Sequence, residues 1–223
     1  MKIQRIVEGL QTCFVVSDVD PIYFNAFRDL EFTNKENNFI LTYSTATSHL
    51  DGIYQNFERF VEEMILQTAR FHPVPWEEAL QAFLSIVYGQ GIDWYLVGST
   101  ALAVRGIEIL PRDIDLVVDT LGAHRLGELL LDSLIQPVQE TPGWIADWFG
   151  RAFLHARLEW VGGVNEQADQ PEVSDFGLVA AQRLEAVNWH GYQLQVPPLE
   201  MQLRVSERRG LLERVEKIKA ALI

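Results

Sequence analysis

Residues 95–118 constrain this chain more than any other stretch. Tyr95-Leu96-Val97 is an apolar run of strand length that passes directly into Gly98-Ser99-Thr100, and the short run Ala101–Gly106 after it reads as a helix closed by its glycine. The chain then enters Asp113-Ile114-Asp115-Leu116-Val117-Val118, a strong strand candidate. Side chains two apart on a strand share a face, so Asp113 and Asp115 project together while Ile114 and Leu116 turn towards a core. Two close carboxylates repel each other unless protons or cations intervene. Mg²⁺ is a natural partner, because it prefers oxygen ligands and joins carboxylates to substrate phosphates. The Gly98-Ser99 turn, where a strand ends and a helix opens, offers backbone N–H groups to an anion. Glycine lets the backbone come close, and the serine hydroxyl can add a hydrogen bond. Each piece alone has an ordinary explanation, as a solvated strand edge or a loop turn.

The rest of the chain falls into place around this stretch. Phe71-His72-Pro73-Val74-Pro75 carries two prolines in three residues, which disfavours a continuous helix and marks a boundary. Residues 1–72 form an N-terminal extension of unknown role, and residues 73–223 form a second unit with C-terminal helices. In the extension, Phe14-Val15-Val16 and Phe39-Ile40-Leu41 predict short strands, and residues 54–70 have helical spacing at Phe57, Phe60, Val61, Met64 and Ile65. Beyond the boundary, Trp76–Val87 predicts an amphipathic helix with Glu77 and Glu78 at its positive end. A helix over 121–135, a strand over 152–161 and a helical tail over Leu199–Ile223 complete the pattern, the tail with an apolar stripe at Leu211, Val215, Ile218 and Leu222. This order implies an α/β (α+β) fold, a small mixed β-sheet flanked by helices.

Bulk composition excludes several roles. A formal charge of −13 argues against non-specific nucleic-acid binding, which depends on Lys and Arg neutralising phosphates. Cys13 is the single cysteine, so neither an internal disulfide nor a cysteine-based zinc cluster can form. The opening MKIQRIVEGLQTCFVVSD breaks its apolar stretches with charge, unlike a signal peptide. No window approaches the roughly 18 apolar residues of a membrane span. The expectation is a cytoplasmic, soluble protein without a membrane partner.

Val97-Gly98-Ser99, thirteen intervening residues and Asp113-Ile114-Asp115-Leu116 together form a pattern. It resembles the signature of the DNA polymerase beta-like nucleotidyltransferase superfamily. The run YLVGSTALAVRGIEILPRDIDLVV is similar to small bacterial members, which include aminoglycoside and lincosamide adenylyltransferases and toxin-type enzymes of abortive-infection systems. The resemblance implies a nucleotidyltransferase-type core and a metal-dependent enzyme that uses Mg²⁺ or Mn²⁺. Its reaction would move a nucleoside monophosphate from a nucleoside triphosphate to an acceptor hydroxyl and release pyrophosphate. It assigns Gly98 and Ser99 to the triphosphate and Asp113 and Asp115 to metal and catalysis. It also calls for a third carboxylate on a later strand, sharing metal binding and catalysis with the pair, for which Glu159 in Ala156-Arg157-Leu158-Glu159-Trp160 is the candidate ahead of Asp147 and Asp175. Many relatives carry an aspartate there and a threonine shortly before the first aspartate; this chain has Pro111 and Arg112 at the latter place. Arg112 is a candidate phosphate contact, and Arg204, Arg208 and Arg209 lie where relatives carry basic residues facing the nucleotide. The acceptor stays open among a small molecule, a tRNA end and a protein hydroxyl.

Other readings were weighed. Asp18-Val19-Asp20 after an apolar run resembles the first motif of haloacid-dehalogenase-like phosphatases, but Ile22 replaces the familiar residue and a turn into Pro21 explains it. Glycosyltransferases use Asp-x-Asp without a preceding Gly-Ser. A non-catalytic interaction or antitoxin-like module of the same fold is the alternative from a different class. His124, His155 and His190 lie on separate elements, and Trp144 and Trp148 are candidates to line an acceptor cleft.

Overall fold

The computed structural model describes residues 1–222. Its N-terminal part is an antiparallel sheet of β1 (Lys2–Glu8), β2 (Gln11–Ser17), β3 (Thr33–Lys35) and β4 (Asn38–Ser44), in the order β1-β2-β4-β3. Helix α1 (Phe24–Asp29) lies between β2 and β3, and α2 (Leu50–Thr68) follows β4. The two strands and the helix expected in this region are all present. Phe57, Val61, Met64 and Ile65, at the helical spacing, are buried, and aromatic rings fill the space between sheet and helix. Phe14 meets Phe57 at 5.1 Å and Phe27 stacks on Phe39 at 4.0 Å. Asp18 takes a left-handed φ of 53°, and the Asp20 side chain accepts from the Ile22 N–H at 3.0 Å. That is the chemistry of a cap before Pro21, so the Asp-Val-Asp motif builds a turn.

Beyond Pro75 come α3 (Trp76–Val87), β5 (Trp94–Val97), α4 (Gly98–Ala103), β6 (Ile114–Val118), α5 (Thr120–Leu129), β7 (Leu134–Glu140), β8 (Ala146–Leu154) and β9 (Ala156–Val164). The remainder holds α6 (Leu178–Ala181), a hairpin of β10 (Glu185–Trp189) and β11 (Tyr192–Val196), α7 (Leu199–Arg208) and α8 (Leu212–Ala221). The main sheet has five strands in the order β5-β6-β9-β8-β7, with β6 and β9 parallel and every other pair antiparallel. It is the small mixed sheet flanked by helices that the sequence pattern implies.

Three expectations need correction. The helix over 121–135 ends at Leu129, and β7 begins at Leu134. The strand over 152–161 is two strands, because His155 turns the chain with a φ of 62° and folds β8 back on β9. The helical tail is broken by Gly210, whose φ of 65° suits glycine and ends α7. Of its expected stripe, Val215 and Ile218 are buried while Leu222 is 43% exposed; Ile223 lies outside the described residues.

One face of the main sheet packs on α2, α3 and α5 through a core that also takes in the N-terminal aromatic residues. Trp160 is fully buried at its centre and donates from Nε1 to the Ala123 carbonyl at 3.1 Å. Gly150 lies opposite Trp160 across the strand pair, where any side chain would overlap the indole. The opposite face is apolar only near Tyr95, Val97 and Val117, and beside them it carries charge.

Candidate active site

The charged face is assembled by strand register. Asp115 pairs with Val97 on β5 and with Glu159 on β9. Because β6 and β9 are parallel and in register there, Glu159 projects beside Asp115, and Asp113 follows at the mouth of β6. The carboxylates of Asp113, Asp115 and Glu159 each offer an oxygen within 4.8 Å of the others. The third carboxylate expected from the sequence therefore sits on the same face as the aspartate pair. Asp147 is exposed elsewhere on β8, and Asp175 is buried close enough to act on Asp115 without joining the cluster.

Gly98 closes the other side. Its φ is 65°, and a Cβ placed there would lie 2.8 Å from Asp115 Oδ2. Both backbone conformation and space thus require glycine beside the carboxylate. The Gln202 side chain on α7 donates to the Gly98 carbonyl at 3.1 Å, and Thr100 Oγ1 donates to the Asp113 carbonyl at 2.6 Å. These bonds tie the turn to the start of β6. Ser99 is buried at the head of α4, whereas Arg112 is exposed just before Asp113.

The sequence reading missed two arginines that now dominate the charge balance. Arg157 precedes Glu159 by two residues and so shares its face; it donates to Asp113 Oδ2, and its Nε is 3.5 Å from Glu159 Oε1. The period-two rule that found the aspartate pair was enough to find Arg157. Arg151 on β8 lies opposite Glu159 and is 2% exposed. Its Nε donates to Glu159 Oε1 at 2.5 Å and its Nη1 to the Leu30 carbonyl at 3.1 Å. Leu30 caps α1, so Arg151 joins the N-terminal unit to the third carboxylate. No signal in the sequence could give that, since it depends on the β8–β9 turn and on packing between distant segments.

The titration behaviour follows this unequal pairing. Burial pushes the Asp115 carboxyl well above the ordinary range, and the charges of Asp113 and Glu159 push it further, against Arg157. Asp113 is also raised, because burial outweighs the opposing Arg157. Burial acts upward on Glu159 too, but Arg151 and Arg157 together bring it below its usual value. Arg214 on α8 stands within the field of Asp113, Asp115 and Asp175; burial and the neighbouring Arg209 charge lower its affinity for its proton. Arg208 instead binds Glu172 at 2.9 Å and the Val173 carbonyl at 2.8 Å, and Arg204 is exposed.

Trp148 corrects an expectation. It follows the alternation of Gly150 and Ala152, on the face opposite Arg151 and Glu159, and packs against the His124 ring at 4.1 Å. It therefore does not line this cleft. Trp144 lies in the exposed turn before β8.

The all-oxygen donor set, with Asp113 and Asp115 raised by burial and by neighbouring carboxylates, fits a hard divalent cation such as Mg²⁺ or Mn²⁺. No family model and no curated protein matches the sequence. Solved structures to which this chain shows a partial likeness include three described as nucleotidyltransferases or as adenylyltransferase-type proteins. A provisionally assigned nucleotidyltransferase from Thermotoga maritima is 19% identical, with a TM-score of 0.49 over 66% of this chain and 92% of its own. The lincosamide antibiotic adenylyltransferase LnuA, solved with lincomycin bound, is 15% identical, with a TM-score of 0.45 over 64% of this chain and 96% of its own. ANT(2")-Ia, solved with adenylyl-2"-tobramycin, is 14% identical, with a TM-score of 0.41 over 65% of this chain and 87% of its own.

Proposed function

We propose that this chain is a metal-dependent nucleotidyltransferase that transfers a nucleoside monophosphate from a nucleoside triphosphate to an acceptor hydroxyl. The observation that carries this reading is the convergence of Asp113, Asp115 and Glu159 within 4.8 Å, on two parallel strands beside a glycine that only a bare backbone can fill. In the reaction the acceptor oxygen bonds to the α-phosphorus, the bond between the α-phosphorus and the bridging oxygen breaks, and pyrophosphate leaves. The hydroxyl proton passes to a base.

Asp113 and Asp115 would hold the divalent cation, which supplies charge neutralisation for the phosphates. Gly98 and Ser99 would receive the triphosphate, with Arg112 at the exposed edge and Arg214 on α8 within the field of the aspartate pair. Glu159 is the carboxylate placed to take the proton. Its two arginine partners keep it ionised, and so able to accept, at the cost of basicity. Positioning and fixed charge supply most of the acceleration in phosphoryl-type chemistry, and this cleft is built from fixed charges.

A second reading has its own support. Arg151 and Arg157 already neutralise much of the acidic cluster, which suits a nucleotide-binding module without turnover. A screen of labelled nucleoside triphosphates with Mg²⁺ against small-molecule, tRNA and protein acceptors separates the two. Label should move to one acceptor class in a Mg²⁺-dependent way, and Asp113→Asn with Asp115→Asn should abolish it. Metal-dependent triphosphate binding with no transfer to any acceptor would favour the binding module. Equal triphosphate affinity in wild type and double variant would remove the metal role altogether.

A further inference from the structure

The three carboxylates of the cleft are not equivalent. Arg157 spans two of them, donating to Asp113 Oδ2 and lying with its Nε 3.5 Å from Glu159 Oε1. That Nε is buried and has no hydrogen-bond partner. Arg151 takes Glu159 from the other side at 2.5 Å. Asp115 has no ion-pair partner among the described residues, and its Oδ2 faces the space above Gly98.

A paired-cation mechanism needs room for one ion at the attacking oxygen and one at the leaving oxygens, roughly 3.5–4 Å apart. Here a guanidinium fills the region that Asp113 and Glu159 share. Arginine keeps its charge at any working pH and cannot be neutralised to make way. Counting formal charge, three carboxylates and two guanidiniums leave the cluster with one net negative charge. The triphosphate adds further negative charge, so net charge alone sets no limit on the ions; the limit lies in the carboxylate oxygens that Arg157 already occupies.

On the nucleotidyltransferase reading, we infer that this site takes one divalent cation, held by Asp113 and Asp115 with the triphosphate. The Arg157 guanidinium serves as the fixed second positive charge between Asp113 and Glu159. Arg157 is then a residue that sets the metal stoichiometry, and Glu159 is a carboxylate that answers to arginine instead of to metal. The inference separates this cleft from any in which all three carboxylates are bare.

Mn²⁺ binding to the full chain tests it, followed by the paramagnetic resonance of free Mn²⁺ with α,β-methylene-ATP present at saturation. The expected count is one Mn²⁺ per protein–nucleotide complex for wild type and two for Arg157→Gln. Two ions in wild type, or one in both proteins, would overturn the inference. The wild-type count alone decides between one and two, so the test survives an Arg157→Gln protein that fails to fold. Two ions in wild type that vanish in Asp115→Asn would leave the nucleotidyltransferase reading standing and sink only the single-ion inference. No Mn²⁺ bound with nucleotide by wild type would sink both.

Discussion

The two larger sheets of this molecule handle charge in opposite ways. In the N-terminal sheet, Lys2, Glu8 and Lys35 are exposed at the strand ends, and the covered face is aromatic and aliphatic, with Phe14 and Phe39 in one core with Phe57 of α2. In the five-stranded sheet, Asp113, Asp115, Arg151, Arg157 and Glu159 crowd one face with little exposure, and Arg151 is almost fully enclosed. Taking charges out of water costs several kcal/mol per ion, and pairing repays this only with good geometry. The first sheet follows ordinary burial rules for charged groups, although the Thr12 and Tyr43 hydroxyls are buried without partners among the described residues. The second breaks them on one face alone, where Gly98 also leaves space that a side chain would fill. A fold keeps such an arrangement where stability is not what the residues are for. Beyond the shared apolar core, Arg151 ties the end of α1 to Glu159, so the unit built for packing also steadies the unit built for charge.

If that division holds, the largest effect of any single change should fall on turnover, at the charged face. Glu159→Gln removes the proton acceptor while Asp113 and Asp115 still hold the nucleotide-bound cation. Transfer to the acceptor found by screening should fall on the order of 10²–10⁴-fold. The loss should lie in kcat, with triphosphate affinity changed only a few-fold, as expected for an interaction used mainly in the transition state. A variant that keeps its turnover would place Glu159 with the packing residues and erase the distinction between the faces.

The converse change belongs to α2, which covers the N-terminal sheet. Phe57 is fully buried against Phe14 and Phe32. Phe57→Ala leaves a cavity and should lower unfolding free energy by about 3–5 kcal/mol in denaturant titration. The protein that remains folded should bind Mn²⁺ and triphosphate as wild type does. Weakened metal binding in the folded protein would show that the N-terminal unit shapes the cleft more directly than through Arg151.

The same contrast explains what could be read from the sequence. Periodicity located α3 from Trp76 to Val87, the two N-terminal strand cores and the Asp113–Asp115 strand, because each is a local pattern. The resemblance calls for a third carboxylate on a later strand and the strand-like run around Glu159 supplies the candidate, though its neighbour in space depends on a parallel pairing across some forty residues. What escaped was set by backbone turns and by register. Arg151 reaches Glu159 only because His155 folds β8 onto β9, and Arg214 comes within the field of the aspartates on a second helix that Gly210 separates from the first. The sequence offers Trp148 as a candidate for an acceptor cleft, and the register of β8 on β9 turns it to the other face.

The smallest expected effect sharpens the comparison most finely, because it asks what the buried charge costs. Burial first, then Asp113 and Glu159, raise the Asp115 carboxyl in the folded protein, whereas in the unfolded chain it titrates near 4. Above the raised value the folded state carries an unfavourable charge that the unfolded state carries freely. As pH falls through that value the folded state takes up a proton that the unfolded state does not, so stability rises with falling pH. Near pH 4 both states become protonated and the gain stops. Asp113 titrates in the same direction, while Glu159, lowered by its arginines, contributes stability that is lost only below the ordinary glutamate range. Asp115→Asn removes the first of these contributions. Without divalent cation, the variant should melt higher than wild type at neutral pH, and the difference should shrink as pH falls towards 4. A rise of a few degrees is readable, since about 1 kcal/mol moves the Tm of a chain this size by ~2–4 °C. Saturating Mn²⁺ with nucleotide should reverse the order, because wild type then gains binding free energy that the variant forgoes. A difference that stays constant with pH, or a variant less stable than wild type at neutral pH without metal, would mean that Asp115 is accommodated as comfortably as the exposed charges of the N-terminal sheet. The cleft would then have no unmet negative charge for a cation to answer.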